Sequence, residues 1–364
     1  MKGYACPSSA VSASKPKYYN AQDMNAFKKY WHVAAESDRL GTTPLAVIVL
    51  GEQIALWRGS SGQPVAMADR CLHRSARLSS GRTRDGVLQC RYHGWCYDDA
   101  GRVCRIPAEG VRMIPGPLRT TPLQSCEQDG YIYVRLDSVA EDVSEIPPFR
   151  MPHWEKPGWR HIRLVNRFAG GVADCIENFI DVPHTAFVHD RVFRRSIGET
   201  IRAKVVRAAG RVTVTYEGER SNLGAWSWFL NPTGAPVEHE DNYICPNVTC
   251  VRYRLKNGYG FVITSQSVPI DERTTLVYTD LAYQFGLFTP LAGPFVRRAG
   301  QKVIDQDLSI IEEQGEIVAA RGRNFCVSTP DLIHRCVDEI REAIARGDDP
   351  RLLPEKTFEI EFCV

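Results

Sequence analysis

Two patterns of apolar spacing divide the chain. Up to about Leu136, beginning near Trp31, short runs of β-type residues occupy positions 45–50, 54–57, 65–68, 87–90 and 131–136. Gly-rich or charged connectors such as 59–62 and 98–101 separate them, which predicts a small antiparallel β domain. Acidic residues and prolines cluster over 137–157 and mark a boundary. Beyond it, Val172, Cys175, Ile176, Phe179 and Ile180 recur at helical spacing within a segment, 171–189, expected to be helical. Strand alternation returns between about Ile201 and Phe285, and amphipathic helices are expected over 294–321 and 330–346. The expected fold class is α+β. An N-terminal antiparallel β domain, residues 31–145, precedes a domain, residues 146–364, in which helices pack on an antiparallel sheet. Residues 1–30 read as a polar lead-in.

A chain of 364 residues can bury two cores. The net charge of +2 gives no global case for binding nucleic acid or an anionic membrane. No apolar run approaches the roughly 20 residues that span a bilayer. The Ser- and Lys-rich start lacks the apolar stretch of a secretory signal, so a cytoplasmic location is expected. In a reducing compartment the twelve cysteines read as metal ligands or buried thiols rather than disulfides.

Candidate chemistry begins with Cys71-Leu-His73, followed after sixteen residues by Cys90-Arg-Tyr-His93. Two thiolates and two imidazoles suit a structural zinc. They also suit a two-iron cluster in which thiolates hold one iron and imidazoles the other, and two loops each carrying one Cys and one His supply that split naturally. Gly94-Trp95 would let the backbone pass close to such a cluster beside an apolar shield. The sequences Cys71-Leu-His73-Arg74 and Cys90-Arg-Tyr-His93-Gly94-Trp95 resemble the Rieske signature. That resemblance implies a [2Fe-2S] cluster on Cys71, His73, Cys90 and His93, with a potential between about −150 and +300 mV. Cys96, Cys104 and Cys126 fall outside the pattern and read as small buried hydrophobes.

The segment from Glu177 to His189 carries Asn178, Asp181, His184 and His189 among apolar residues. Two His and one carboxylate on one face of an ion are the ligand set of non-haem iron oxygenases. At about 100° per residue, positions 184 and 189 lie about 140° apart on a regular helix. Both can face one ion only if the helix is distorted, by a π-bulge or a break near Pro183. On the later helix Val303, Ile304, Leu308 and Ile311 form an apolar stripe that includes Asp307, whereas Asp305 projects elsewhere and reads as solvated. A carboxylate on such a stripe is costly unless paired or metal-bound.

The spacing Asn-x2-Asp-x2-His-x4-His, with Asp307 five residues before Glu312, resembles the Rieske non-haem iron oxygenase family over about residues 31–321. The resemblance implies His184, His189 and Asp307 as ligands of a mononuclear Fe(II). It implies Asp181 as a bridge from His184 to His93 of a neighbouring subunit, and a homotrimer of the vanillate-demethylase-like branch. Asn178 is a weak iron contact or a packing amide. Gln306 departs from the acidic residue that many relatives carry before the ligand. The implied function is a terminal oxygenase that hydroxylates or oxidatively demethylates a small apolar or aromatic molecule. It would use O2 and electrons from a ferredoxin and/or a flavin-dependent NAD(P)H reductase. A ring cis-dihydroxylating dioxygenase and a Rieske electron carrier without oxygen chemistry are the alternatives. Trp226, Trp228, Phe229, Tyr243, Phe261 and Tyr278 are candidate pocket residues.

Eight arginines and only three acids lie between Arg70 and Arg105, which suits docking of an acidic electron donor. Charge reversal at Arg77 and Arg82 is therefore expected to slow reduction of the cluster by its donor and to flatten the salt dependence in stopped-flow traces; unchanged rates would remove that role.

Overall fold

The computed structural model describes residues 21–110, 118–137, 146–189, 200–217, 237–255, 258–323 and 325–363. The N-terminal part holds α1 (Ala21–Phe27), β1 (His32–Glu36), β2 (Leu45–Val49), β3 (Glu52–Arg58) and β4 (Pro64–Ala68). Next come β5 (Arg82–Arg84), β6 (Val87–Gln89), β7 (Cys96–Tyr97), β8 (Val103–Arg105), β9 (Gln124–Gln128) and β10 (Tyr131–Arg135). They pair antiparallel as three small sheets, β1-β10-β9, β2-β3-β4 and β5-β6-β7-β8. Trp57, Met67, Leu78, Leu88 and Tyr97 fill a core from which Cys71 and Cys90 emerge. Residues 21–30 are not a loose lead-in. Phe27 and Tyr30 are buried in the main core, because α1 packs on the last helix of the chain.

The second part is built on β11 (Arg160–Phe168), α2 (Val172–Ile180), β12 (Thr200–Ala208), β13 (Arg211–Glu217), β14 (Glu238–Ile244) and β15 (Val248–Arg254). It continues with β16 (Gly260–Asp271), β17 (Thr274–Gln284), α3 (Thr289–Arg321), α4 (Leu332–Ala345) and β18 (Lys356–Cys363). One eight-stranded antiparallel sheet runs β11-β17-β16-β15-β14-β13-β12-β18. α2, α3 and α4 pack on this sheet, and the N-terminal part also reaches it. There Tyr278 Oη donates to Ala34 O at 3.0 Å, Tyr133 and Gln266 hydrogen-bond, and the Arg163 guanidinium lies 4.0 Å from the Tyr131 ring centroid. The α+β expectation therefore holds. β11 and β18 were not anticipated. They are the two edges of the sheet, where alternating charged residues face solvent and dilute the apolar signal.

α3 runs for 33 residues, begins five residues before the expected start, and keeps Pro294 within it. It lies close enough to its neighbours that a Cβ on Gly300 would sit 2.4 Å from Leu281 Cδ1, and one on Gly315 would sit 2.7 Å from Ala169 O. Beneath it, Asp174 of α2 pairs with Arg323. Glu177, one turn on, is half-buried and faces Asp338 and Asp174, so burial first and then these like charges push its carboxyl up to about 8.

Gly315→Ala places its methyl against a backbone oxygen that no side-chain rotation relieves. It is expected to cost about 1–3 kcal/mol, lowering the unfolding temperature by several degrees, while Gly41→Ala, in open space, changes nothing. Glu177 should contribute a pH term of definite sign. Its folded-state pKa exceeds its ordinary value of 4.5, so stability declines as pH rises from 4.5 and the full penalty is present above about 8. Thermal melts of Glu177→Gln should match wild type near pH 4 and exceed it at pH 9; equal melting points at both would refute this.

Candidate metal centres

The two Cys/His loops are near copies of one another. In the first, Cys71 N–H donates to Ala76 O and Ser75 N–H to Cys71 O; in the second, Cys90 N–H donates to Trp95 O and Gly94 N–H to Cys90 O. Ser75 (φ 57°) and Gly94 (φ 73°) occupy the same left-handed corner of each loop. A Cβ on Gly94 would also lie 2.9 Å from Pro107 Cγ, which explains glycine there. Cys71 and Cys90 are buried, while the His73 and His93 rings meet edge-on at 4.4 Å and His73 stacks on Trp95. Nδ1 of His73 is buried without a hydrogen-bond partner, as suits a metal-facing nitrogen.

A tetrahedral zinc would gather its four donor atoms within about 4 Å of one another. Among the described residues the sole trio of such donors within 4.8 Å lies elsewhere, so this quartet is spread wider than one ion requires. A two-iron cluster fits it. Tyr97, not anticipated, adds a further contact: its hydroxyl lies 3.2 Å from Cys71 Sγ and accepts from Leu72 N–H at 2.9 Å. A hydroxyl donating to a ligand sulfur is one of the devices that set a cluster's potential. Its position two residues beyond Trp95, on a strand leaving the second loop, was the available signal. Cys96 is buried, as expected, but Cys104 is exposed and Cys126 half-buried, and every described cysteine is a free thiol.

The second centre begins with the end of α2. The helix stops at Ile180, Asp181 turns extended (φ −87°, ψ 106°), and a 3-10 turn follows over Pro183–Ala186. The expected distortion is therefore a break at Asp181 rather than a π-bulge. Asp181 Oδ2 accepts from His184 N–H at 3.2 Å, which fixes the backbone that presents His184. The break lets both imidazoles turn toward α3. His189 Nε2 lies 3.1 Å, and His184 Nε2 3.7 Å, from Asp307 Oδ1, with the two rings 5.1 Å apart. Three ligands on one face of an octahedral ion, each about 2.1 Å from it, stand about 3 Å apart, close to what these side chains show.

Asp307 and His189 are buried, and Asp307 Oδ1 has no hydrogen-bond partner despite the nitrogens around it. An orphaned carboxylate oxygen facing two imidazole nitrogens is what a cation would satisfy. Burial alone would depress the His184 pKa, but Asp181 and Asp307 outweigh it and hold the imidazole above its ordinary value. Asp181 Oδ2 stands 3.3 Å from His184 Nδ1, close but outside hydrogen-bonding geometry. Asn178 Oδ1 is likewise buried and unpartnered, although Asn178 is not within the trio. Asp305 is exposed and engages Gln301, as expected.

Beside Asp181 opens a cavity of about 730 Å³ lined by Asp174, Glu177, Asn178, Asp331 and His334. Ile310 and Ile317 on α3, with Phe325 beyond it, give it an exposed apolar rim. Of the expected pocket aromatics, Trp226, Trp228 and Phe229 lie outside the described residues. Tyr243 and Tyr278 are core: both are buried, and their hydroxyls donate to Pro246 O and Ala34 O. Phe261 is half-buried and, with Ile263, packs against the cluster containing Val296 and Ile304 of α3. Among the described residues no helix is long and apolar enough to cross a membrane.

Comparison with known proteins identifies the two domains. Residues 30–122 match the Rieske [2Fe-2S] domain, and residues 172–346 match the vanillate O-demethylase oxygenase C-terminal domain. Methylxanthine N1-demethylase NdmA of Pseudomonas putida is 35% identical over 269 residues, 68% of this chain and 70% of that protein. Aminopyrrolnitrin oxygenase PrnD of Pseudomonas fluorescens is 30% identical over 164 residues, 44% of this chain and 45% of that protein. The alignment thus spans less than half of PrnD and more than two thirds of NdmA. The structure of Pseudomonas putida CBB5 NdmA with caffeine superposes with a TM-score of 0.76, covering 93% of this chain and 98% of that one; at 24% identity it shows the shared fold. With a Rieske domain, the catalytic domain that follows it and a relative matched over most of its length, the chain belongs to the Rieske non-haem iron oxygenases.

Proposed function

We propose that the chain is a terminal oxygenase that hydroxylates or oxidatively demethylates a small, largely apolar or aromatic molecule. Residues 31–145 would deliver electrons and residues 146–364 carry out the chemistry. The convergence of His184, His189 and Asp307 carries this proposal, because an electron carrier has no use for a second trio of donors, two of them buried. Iron held there by His184, His189 and Asp307 would supply O2 activation. Each turnover consumes one O2, two electrons and two protons, and leaves one oxygen atom in the product and one in water. The matched vanillate O-demethylase domain and the N1-demethylase activity for which NdmA is named favour monooxygenation over cis-dihydroxylation.

The protein's own groups have separable tasks. Asp307 and His189 are held dry, so charge introduced there is screened little by solvent. Asp181 anchors the backbone of His184 and stands beside its Nδ1, so a proton or an electron partner on the cavity side can reach that imidazole. Half-buried Phe261 and Ile263 offer apolar surface suited to a flat substrate near α3. Electrons would come from NAD(P)H through a ferredoxin or a flavin-dependent reductase, in the reducing cytoplasm that free thiols suit.

A homotrimer supports the electron route. Leu72, Tyr92 and His93 are exposed at the tip of the Cys/His loops, flanked by exposed Arg74, Arg77 and Arg91. The cavity beside Asp181 has an apolar rim and carboxylate-rich walls. The two surfaces are complementary in polarity and charge, so the tip of one copy suits the cavity of the next.

Asp307→Ala should lose turnover and mononuclear iron while the visible spectrum of the cluster survives; retention of both iron and turnover would end the oxygenase assignment. Mixed oligomers of Asp307→Ala and Cys90→Ser chains, each inactive alone, should recover activity if electrons cross between subunits. No recovery in mixed trimers verified by native mass spectrometry would place the route within one chain.

A further inference from the structure

His189 has a second ring nitrogen that the metal trio does not use. Nε2 faces Asp307, and Nδ1 lies 3.1 Å from Oε1 of Gln306, the residue immediately before Asp307 on α3. A neutral imidazole carries one N–H. An acceptor at Nδ1 holds the proton there and leaves the Nε2 lone pair pointing at the site. A donor at Nδ1 would have the opposite effect. It would move the proton to Nε2, where the Asp307 carboxylate accepts it at 3.1 Å, and the two would satisfy each other without a cation. The partner of Nδ1 therefore decides whether His189 and Asp307 are metal ligands or a closed pair.

The identity of this partner is a property of this chain. Asp305, the other carboxylate on the same turn, is exposed and bonded to Gln301, and so does not serve. Gln306 reaches across 117 residues of sequence to the loop that carries His189. One helical turn thus supplies one ligand and orients another. A carboxylate at 306 would accept the same hydrogen bond but put a second negative charge beside Asp307. The amide accepts without adding charge.

We propose that Gln306 is a positioning residue of the metal trio, whose side-chain carbonyl fixes His189 with its proton on Nδ1 and so sets the affinity of the site for Fe(II). This rests on His184, His189 and Asp307 holding iron. Gln306→Leu keeps the length and loses the acceptor; Gln306→Glu keeps the acceptor and adds charge. Protein stripped of mononuclear iron but retaining its cluster is titrated with Fe(II) against a competing chelator. Co(II) absorption reports the geometry, and a thermal melt is recorded for each variant. Gln306→Leu is expected to weaken Fe(II) binding about 10- to 100-fold and to alter the Co(II) spectrum, with Gln306→Glu staying near wild type. A role in packing alone reverses the order, since Leu tolerates a half-apolar site and a buried Glu does not. Wild-type affinity in Gln306→Leu, or equal weakening in both variants alongside lower melting temperatures, overturns the proposal. Asp307→Ala run in parallel separates the two levels: unchanged Fe(II) affinity there removes the trio itself, whereas lost affinity there with Gln306→Leu intact removes only Gln306.

Discussion

A carboxylate held out of water opposite two imidazoles is the constraint around which the catalytic half is organised. Asp307 cannot sit on the buried stripe of α3 without compensation, and the compensation must come from a segment more than a hundred residues earlier. Two features of the chain make the meeting possible. α2 ends at Ile180, three residues before Pro183, which rotates His184 and His189 onto one side. Gly300 and Gly315 bracket Asp307 on α3 and let the helix lie against Leu281 and the backbone at Ala169 without a Cβ between. The break sets the direction of the imidazoles, and the glycines set the distance of the carboxylate. Neither is sufficient alone.

The two centres solve opposite problems of exposure. In the Rieske domain the thiolates are rooted in the core around Trp57, Leu88 and Tyr97, while His93, Tyr92 and Leu72 project outward. That polarity suits a group that must meet a donor. In the candidate catalytic trio Asp307 and His189 are buried and His184 is half-buried, and the cavity opens beside Asp181. The repeated loop geometry, with Ser75 and Gly94 at equivalent left-handed corners, presents one Cys and one His from each side.

Much of this was legible in the sequence, for reasons that differ from residue to residue. The Cys/His loops are encoded locally, since ligand spacing and the turn residue lie within five positions of each other. The break between His184 and His189 follows from an angle, because a five-residue step cannot place two side chains on one helical face. Asp307 stood out because a charge interrupts an apolar stripe. What escaped lacks such local marks. β11 and β18 are sheet edges whose solvent-facing positions carry Arg, Lys and Glu. α1 and the turn after it display little beyond Phe27 and Tyr30, and the packing partner α4 lies at the far end of the chain. Tyr97 and Gln306 act through one contact each, and Gln306 was visible only as an amide where an acid is common.

The carboxylates gathered near Asp181 give the site a cost that the fold bears locally. Burial pushes Glu177 up to about 8 and Asp338 up to about 6, and it raises the Asp174 carboxyl too, against the opposing pull of its pairing with Arg323. An isolated catalytic domain gains nothing from concentrating acids on a cavity rimmed by Ile310, Ile317 and Phe325. A surface that receives an arginine-flanked tip does, because negative charge that destabilises the free chain becomes attraction once the partner arrives. In the proposed assembly the tip of one copy would cover this cavity, so that electron entry and closure of the surface beside Asp181 would coincide.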